Sequence, residues 1–210
     1  RLDGVTGVQT CALPIYAMLD LVKNETERIE SRFLEPACGT GNFLAPILER
    51  KLALVKKRYG KVQAEFEKMA LLAVSSIYGI ELLEDNVVAC IKRLYDIFDE
   101  EYSGLYRDKC KNELRDSIRF ILERNILHGD ALNFRNLNND FLVFSEWSLV
   151  KDGMIKRRDY KFSELANLDP NQPSLFSVKD VSDTGEAVFS AMPIKEFPLK
   201  HYLSLNNYES

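Results

Sequence analysis

The sequence predicts a protein of the α/β class, because short apolar segments alternate with longer helical ones. The apolar segments lie at residues 32–35, 76–81 and 126–128; the first two end in a glutamate, and the third is followed by a glycine and an aspartate. Between them, apolar residues recur with the spacing of amphipathic helices. Strands that alternate with helices favour a parallel sheet, which we expect to carry helices on both faces.

Five helices are predicted around these strands. The spacing of apolar residues places them at residues 16–29, 42–59, 62–74, 85–103 and 108–124. We expect Asp85 or Asn86 to cap the fourth helix at its start. Gly60 and Gly104 are expected to end the second and fourth helices, since glycine is common just past a helix.

The last third of the chain has a different character, because helical periodicity stops after residue 133. Residues 141–162 predict a β-hairpin with arms at 142–147 and 154–160, joined by a turn at Asp152-Gly153. Four of the seven prolines lie between residues 166 and 198. The predicted organisation is therefore an α/β domain at 16–140, a hairpin extension at 141–165, and an irregular, extended or partly disordered tail at 166–210.

We interpret residues 1–15 as an artefact that is not part of the predicted fold. The segment VTGVQTCALPI at residues 5–15 reads as the translation of a common sequencing-library adapter. A disordered N-terminus and a signal peptide are the alternatives. Asp3 stands where a signal peptide has basic residues, and Asp20 interrupts the apolar run. We expect the natural protein to begin near Tyr16 and its gene to be truncated at the 5′ end.

Composition favours a soluble globular protein. The 210 residues are 46% hydrophobic and 29% charged, and the net charge of −4 provides no overall basic field for nucleic acid. Apolar runs stay well below the roughly 20 residues of a membrane span. Outside the adapter-like segment, Cys38, Cys90 and Cys110 form no Cys-x-x-Cys pair. We therefore expect a reduced cytoplasmic protein without a metal site, a disulfide framework or a membrane partner.

The most informative stretch is FLEPACGTGNFL at residues 33–44. Its order is a strand, a turn with two glycines and the start of a helix. Gly39 and Gly41 allow backbone angles that a side chain disfavours, and they leave room for a ligand beside the loop. Glu35 ends the strand, where ligands bind in open α/β sheets. A tight strand–helix turn without a ligand is the alternative interpretation.

An acid also ends the second strand, and another follows the third. Glu81 comes 40 residues after Gly41, whereas the ribose-binding acid of NAD-binding folds comes about 20 residues after the glycines. This spacing argues against a dehydrogenase. Asp130 lies in the segment NILHGDAL at residues 125–132. Acids at three consecutive strand ends are consistent with one ligand lying across them, although a solvated loop acid remains the alternative for Glu81.

These segments resemble motifs of the S-adenosylmethionine-dependent N6-adenine DNA methyltransferases of restriction–modification systems. Residues 35–43 match motif I, (D/E)-P-x-x-G-x-G-x-F, and residues 125–132 match motif III, N-I-x-x-G-D-(A/S)-L. The resemblance covers residues 16–130. It implies the N-terminal half of a Rossmann-like class I methyltransferase sheet, which binds S-adenosylmethionine.

The resemblance also implies how S-adenosylmethionine is held. Glu35 and the glycine turn would face its methionine part, Glu81 would bind both ribose hydroxyls, and Asp130 would accept from the adenine amino group. The implied cofactor-binding residues are Glu35, Pro36, Ala37, Gly39, Gly41, Phe43, Glu81, Leu82, Asp130, Ala131 and Leu132. His128 is expected to be a strand residue with a bonded ring, and Cys38 a small buried side chain.

Two motifs of this family are missing from the sequence. The catalytic motif IV, (N/D)-P-P-(Y/F), needs adjacent prolines, and no two prolines are adjacent here. Motif X would lie upstream of Tyr16. We therefore name no catalytic residue. The sequence predicts a DNA adenine-N6 methyltransferase or its S-adenosylmethionine-binding part. The alternatives are a non-catalytic cofactor- and DNA-binding subunit that needs a partner with N-P-P-Y, and an RNA or small-molecule methyltransferase.

The predicted hairpin carries three consecutive basic residues, Lys156, Arg157 and Arg158, close to aromatic residues. Basic side chains contact phosphates and aromatic rings stack on bases, so this triplet is our candidate nucleic-acid contact. An ordinary solvated hairpin is the alternative. The implied partners are DNA and a second methyltransferase subunit or a specificity subunit.

The segment QPSLF at residues 172–176 resembles the Q-x-S-L-F peptide with which bacterial proteins dock on the replication sliding clamp. Gln172, Leu175 and Phe176 would make that contact. Five residues also arise by chance, which is the alternative.

Overall fold

The structure, a computed structural model, describes residue 15, residues 17–166 and residues 192–209. After a helical stretch at residues 17–21, the helices are α1 (Lys23–Thr26), α2 (Leu44–Tyr59), α3 (Gln63–Ser75), α4 (Glu84–Tyr106), α5 (Asn112–Asn125) and α6 (Phe162–Ala166). The strands are β1 (Phe33–Glu35), β2 (Ile77–Glu81), β3 (Ile126–His128), β4 (Val143–Leu149), β5 (Met154–Lys161), β6 (Lys195–Glu196) and β7 (Lys200–His201). Short 3₁₀ turns lie at Arg107–Lys109, Lys151–Gly153 and Leu205–Glu209.

The first three strands form a parallel sheet in the order β1-β2-β3. Glu35 pairs with Gly79, and Gly79 pairs with Ile126. Helices α2 and α3 connect β1 to β2, and α4 and α5 connect β2 to β3. This confirms the predicted α/β class. Since the strands are parallel, their carboxyl ends lie at the same edge of the sheet.

The two faces of this sheet pack against different partners. Successive side chains of a strand point to opposite faces. Ile77 lies in the apolar core that the long helices build, whereas Tyr78 and Ile80 lie in a second cluster with the hairpin-region residues Leu142, Phe144 and Phe162. Among the described residues, the four long helices thus pack on one face, and the other face packs against the hairpin strands and Phe162, the first residue of the short helix α6. Right-handed crossovers between strands added in one direction place their helices on one face.

Helix α4 differs from its prediction at both ends. Its N-cap is Leu83, whose N–H donates to the Glu81 carboxylate at 3.0 Å, so neither Asp85 nor Asn86 is the cap. Gly104 lies inside α4 and does not end it. Tyr106 packs edge-on against the Phe66 ring with centroids 5.4 Å apart, and this contact favours helical backbone beyond the glycine. Gly60 does follow the last residue of α2, as predicted.

The predicted hairpin is present as β4 and β5, which pair antiparallel from Val143–Lys161 to Leu149–Ile155. Its turn uses left-handed backbone at Asp152 (φ 62°) and Gly153 (φ 75°). Strands β6 and β7 both pair with β5. The described end of the predicted tail thus belongs to this second sheet. Residues 1–14, 167–191 and the clamp-like segment at 172–176 lie outside the described residues.

A buried amide joins the second sheet to the parallel one. Trp147 Nε1 donates to Asn125 Oδ1 at 2.9 Å, and Asn125 Nδ2 donates to the carbonyls of Ser75 and Ile77 at 3.1 and 3.0 Å. These bonds satisfy every polar group of a fully buried side chain, which an apolar core otherwise penalises. The hairpin therefore packs as part of the α/β domain.

Strand β1 is held in place by the buried ammonium of Lys51 on α2. This group donates to Ile29 O at 2.9 Å, to Ser76 Oγ at 2.8 Å and to the carbonyl of Ser31. Burial lowers the pKa of Lys51 to about 7. The contacts tie the segment that leads into β1 to the start of β2, so the glycine turn after β1 begins from an anchored strand. Among the residues described, no helix has the length and apolarity to cross a membrane.

Candidate functional site

The structure brings the three predicted acids to one edge of the parallel sheet. Glu35 is the last residue of β1, Glu81 is the last residue of β2, and Asp130 follows β3 by two residues. Pairing continues beyond the strands, since Gly129 N donates to Glu81 O at 2.9 Å. The predicted juxtaposition of these carboxylates at the carboxyl ends of the strands is therefore present.

The turn after β1 uses left-handed backbone at both glycines, with φ +51° at Gly39 and +79° at Gly41. Gly41 N donates to Cys38 O at 2.8 Å, and its carbonyl accepts from Ala45 N at 2.9 Å as α2 begins. A Cβ at position 41 would lie 2.9 Å from Cys90 Sγ, whereas one at position 39 would meet nothing within 4 Å. Gly41 is thus packed against α4, and Gly39 borders open space.

The Glu81 carboxylate connects this turn to the next one. Oε2 accepts from Gly39 N at 2.8 Å, and Oε1 accepts from Leu83 N at 3.0 Å and Asn86 Nδ2 at 3.3 Å. Burial acts to raise the pKa of Glu81, but the hydrogen bonds from Leu83, Asn86 and Gly39 outweigh it and bring the pKa below 4.5. Glu81 is therefore an anion at neutral pH that holds the glycine turn in place.

Glu35 has the opposite electrostatic character. Its Oε2 is buried, and no hydrogen-bond partner reaches it from the described part of the chain. Burial and the nearby charge of Glu81 raise the pKa of Glu35 to about 7. The pKa values of the two carboxylates are therefore shifted in opposite directions, because only Glu81 accepts hydrogen bonds from backbone N–H groups.

Asp130 shapes the loop that follows β3. Its Oδ1 accepts from Leu132 N at 2.8 Å and its Oδ2 from Asn133 Nδ2 at 2.9 Å. Its backbone forms a bridge with Arg135, with N–H to carbonyl distances of 2.8 and 3.3 Å. The carboxylate therefore has a local structural task, and its remaining acceptor positions are available at the edge of the sheet.

The residues predicted to make apolar contacts with the ligand differ in their exposure to solvent. Leu82 and Leu132 are 56% and 91% exposed, which is unusual for large aliphatic side chains. Phe43 is half-buried against the helical core. Of the other predicted contact residues, Pro36 and Ala37 are exposed and Ala131 is half-buried.

Cys90 is a component of the site that sequence reasoning missed. It lies on α4, fully buried, and its thiol occupies the position that a Cβ at Gly41 would need. The only sequence signal was its place on the apolar side of a helix. Contact with the Cys90 thiol and burial raise the pKa of Cys38, which is therefore a buried, unreactive thiol as expected. His128 bonds through its ring to Leu82 O at 3.0 Å, as expected for a strand residue.

The prediction that Arg157 contacts nucleic acid is wrong. Arg157 is 5% exposed, because alternate residues of β5 face the core. Its Nε and Nη2 donate to the two oxygens of Asp159, each at 2.9 Å. Its guanidinium also lies 4.1 Å from the ring centroid of Phe197. These contacts make Arg157 part of the packing between β5 and β6.

The two neighbours of Arg157 face outward but carry acidic partners. Lys156 pairs with Glu196 at 2.8 Å. Arg158 pairs with Glu146 and Glu196, each at 3.4 Å. Phosphate contacts by Lys156 and Arg158 would therefore compete with ion pairs of the second sheet, and the triplet does not form a free basic patch.

We expect Arg157→Lys to lower the free energy of unfolding by about 2 kcal/mol. Lysine keeps the charge but loses the two-pronged bond to Asp159 and the flat contact with Phe197. Urea denaturation followed by the fluorescence of the single tryptophan measures this change. Lys156→Arg is the matched control and should stay within about 0.5 kcal/mol of the parent. An unchanged unfolding midpoint for Arg157→Lys would contradict the structural role.

The described ranges contain no group of three or more His, Cys, Asp or Glu side chains arranged to hold a metal ion. The site is therefore built from carboxylates, backbone N–H groups and exposed aliphatic side chains. Comparisons with protein-family models, with curated proteins and with solved structures each gave no match.

Proposed function

We propose that this chain binds S-adenosylmethionine at the carboxyl edge of its parallel sheet, as the cofactor-binding part of a cytoplasmic adenine-N6 DNA methyltransferase of a restriction–modification system. The observation that carries the proposal is the bond between Gly39 N and Glu81 Oε2 at 2.8 Å. It joins the glycine turn and the acid of the next strand, which are the two elements that the sequence motifs single out.

The chemistry of the edge fits the parts of this cofactor. Glu35 offers a carboxylate to the ammonium of the methionine part. The N-terminus of α2, directly after the glycine turn, favours the cofactor carboxylate through its free N–H groups. Glu81 faces the same edge and accepts from hydroxyl donors. The exposed Leu82 and Leu132 provide apolar surface for a planar base.

The bonds already made by Glu81 limit how it holds a ribose. A carboxylate has about four acceptor positions. Gly39, Leu83 and Asn86 use three of these positions. Accepting both ribose hydroxyls therefore requires one donor to leave. Asn86 is the donor most easily exchanged, because its bond is the longest of the three, at 3.3 Å.

The bound cofactor supplies an electrophilic methyl group, and this chain's described residues bind and orient it. No adjacent prolines occur in the sequence, so the polar and aromatic groups that accept a flipped adenine are proposed to lie outside it, in a continuation of the coding region or in a partner subunit. A non-catalytic cofactor- and DNA-binding subunit is the first alternative, and an RNA or small-molecule methyltransferase is the second. Transfer of a labelled methyl group to DNA, to RNA or to neither, with the chain alone and with an N-P-P-Y partner, distinguishes them.

Calorimetry with S-adenosylhomocysteine tests the cofactor site directly. We expect the parent chain to bind and Glu81→Ala to bind at least about tenfold more weakly, because a charge-assisted hydrogen bond contributes about 1.5–3 kcal/mol. Glu84→Ala is the matched control, since Glu84 is an exposed acid at the start of α4. It should bind like the parent. Equal affinities for Glu81→Ala and the parent, or no binding by a folded parent chain, would overturn the proposed function.

A further inference from the structure

Glu35 and Glu81 project from the same face of the parallel sheet. Glu35 pairs with Gly79, and Glu81 lies two residues after Gly79 on β2. Because side chains alternate along a strand, all three positions point to the same side. Gly79 has no side chain, and a Cβ there would lie 2.8 Å from Cys38 Sγ. Between the two carboxylate positions, Gly79 is therefore covered by the side chains of Cys38 and Leu44.

The groups that act on Glu35 all disfavour its negative charge. Its Oε2 is buried without a hydrogen-bond partner among the described residues. The charged neighbour that raises the pKa of Glu35 is Glu81 on β2, and burial is the larger cause. The remaining titratable neighbours are two buried thiols, Cys38 on the glycine turn and Cys90 behind it on α4. Contact with Cys90 and burial raise the pKa of Cys38, so this thiol is neutral.

We propose that Glu35 carries a proton in the free protein and releases it when a ligand cation binds beside it. The proton leaves the carboxyl oxygen for the solvent, no covalent bond forms, and the ligand keeps its own charge. The ligand class is an α-amino acid derivative that brings an ammonium, such as the methionine part of the cofactor. This inference rests on the proposed function and adds a proton linkage to it.

The physical reason is that neither charge is favourable alone. A buried carboxylate next to Glu81 is penalised while no cation is present, so the neutral acid dominates. A buried ammonium that faces a neutral acid has only the charge of Glu81 to compensate it, and that carboxylate already accepts from three donors. When the cation arrives, the ion pair offsets both penalties. Binding of the cation therefore lowers the pKa of Glu35 and releases its proton. By linkage, loss of that proton in turn raises the affinity for the cation.

Calorimetry in paired buffers of different ionisation enthalpy counts the released protons. At pH 6, where the ligand's own amine is fully protonated, we expect S-adenosylhomocysteine and S-adenosylmethionine each to release about 0.9 proton, given that the pKa of Glu35 is about 7. Both probes carry the ammonium, and only the second carries the sulfonium. 5′-Methylthioadenosine carries neither charge and should release none.

Variants identify the source of the proton. Glu35→Gln should bind S-adenosylhomocysteine more weakly and without proton release, whereas the matched control Glu84→Gln should release as many protons as the parent. Binding of S-adenosylhomocysteine to the parent without proton release would overturn this inference and leave the proposed function intact. Proton release with methylthioadenosine would also overturn it. Failure of all three probes to bind the parent would instead refute the proposed function, and with it the linkage.

Discussion

Gly41→Ala is expected to abolish ligand binding at the sheet edge and to lower the free energy of unfolding by about 3 kcal/mol. Two costs combine at this position. Left-handed backbone, here φ +79°, costs a residue with a Cβ about 1–2 kcal/mol. The new Cβ would also lie 2.9 Å from Cys90 Sγ, and overpacking of a tight core costs about 1–3 kcal/mol. The turn must shift, and the donors that face the ligand shift with it.

Gly39→Ala is the matched control for Gly41→Ala. Its backbone is also left-handed, with φ +51°, but its Cβ would meet nothing within 4 Å. We therefore expect a loss of only about 1–2 kcal/mol. Urea denaturation gives the stabilities, and calorimetry with S-adenosylhomocysteine gives the affinities.

A double-mutant cycle isolates the clash with the thiol. Cys90→Ala removes the sulfur, so in that background Gly41→Ala should cost about 1–2 kcal/mol, which is the backbone term alone. If Gly41→Ala cost the same with and without the Cys90 thiol, the packing of the glycine turn against α4 would not explain why glycine is needed there.

Glu67→Ala is expected to lower the free energy of unfolding by about 4 kcal/mol. Glu67 lies on α3 and is fully buried. It accepts from Tyr102 Oη at 2.6 Å, Tyr202 Oη at 2.7 Å, Lys111 Nζ at 2.6 Å and Gln63 Nε2 at 2.8 Å. Removing the carboxylate leaves a cation and two hydroxyls without their acceptor, and breaking a buried pair in this way costs about 3–5 kcal/mol. Urea denaturation measures the loss.

Glu65→Ala is the control on the same helix. Glu65 pairs with Lys68 at 2.7 Å at the surface, where an ion pair contributes about 0–1 kcal/mol. Equal effects of Glu65→Ala and Glu67→Ala would contradict the role of the buried network. Because Tyr202 comes from the segment after β7, the Glu67 network also fastens the second sheet to the helices.

The stability that Glu67 contributes through this network should decrease as the pH falls. Burial acts to raise the pKa of Glu67, but hydrogen bonds from Lys111, Tyr102 and Tyr202 lower it below 4.5. An acid whose pKa is lower in the folded chain contributes stability above its unfolded pKa, and that stability is lost as the pH falls through the folded value. The difference in stability between the parent and Glu67→Ala should therefore shrink below about pH 4.

Local patterns in the sequence were sufficient for the elements that build the sheet edge. Strand β3 begins and ends where its apolar pattern predicts, and β1 and β2 each begin one residue late. Glu35 and Glu81 end their strands as predicted, and the two turn glycines have the left-handed backbone that motivated their assignment. These features depend on backbone preferences and side-chain alternation over a few residues, which a sequence displays directly.

Predictions that depended on distant contacts were less successful. Nothing near Gly104 in the sequence shows that α4 continues past it, because the continuation depends on Tyr106 packing against Phe66 from another helix. The basic triplet looks uniform in sequence. Its middle member faces the core only because β5 pairs in a register that puts Arg157 beside Asp159 and Phe197.

The sequence by itself determined the α/β class, the position of the glycine turn and the three acids at the strand ends, since each follows from local hydrophobic period and turn chemistry. Only the tertiary structure decided that a hairpin covers the second face of the sheet, that Cys90 packs beneath Gly41, and that Glu35 and Glu81 differ in their affinity for a proton. The reason is that burial and hydrogen-bond donors reach these groups from residues far away in the chain. Gly39 N, for example, reaches Glu81 across 42 positions.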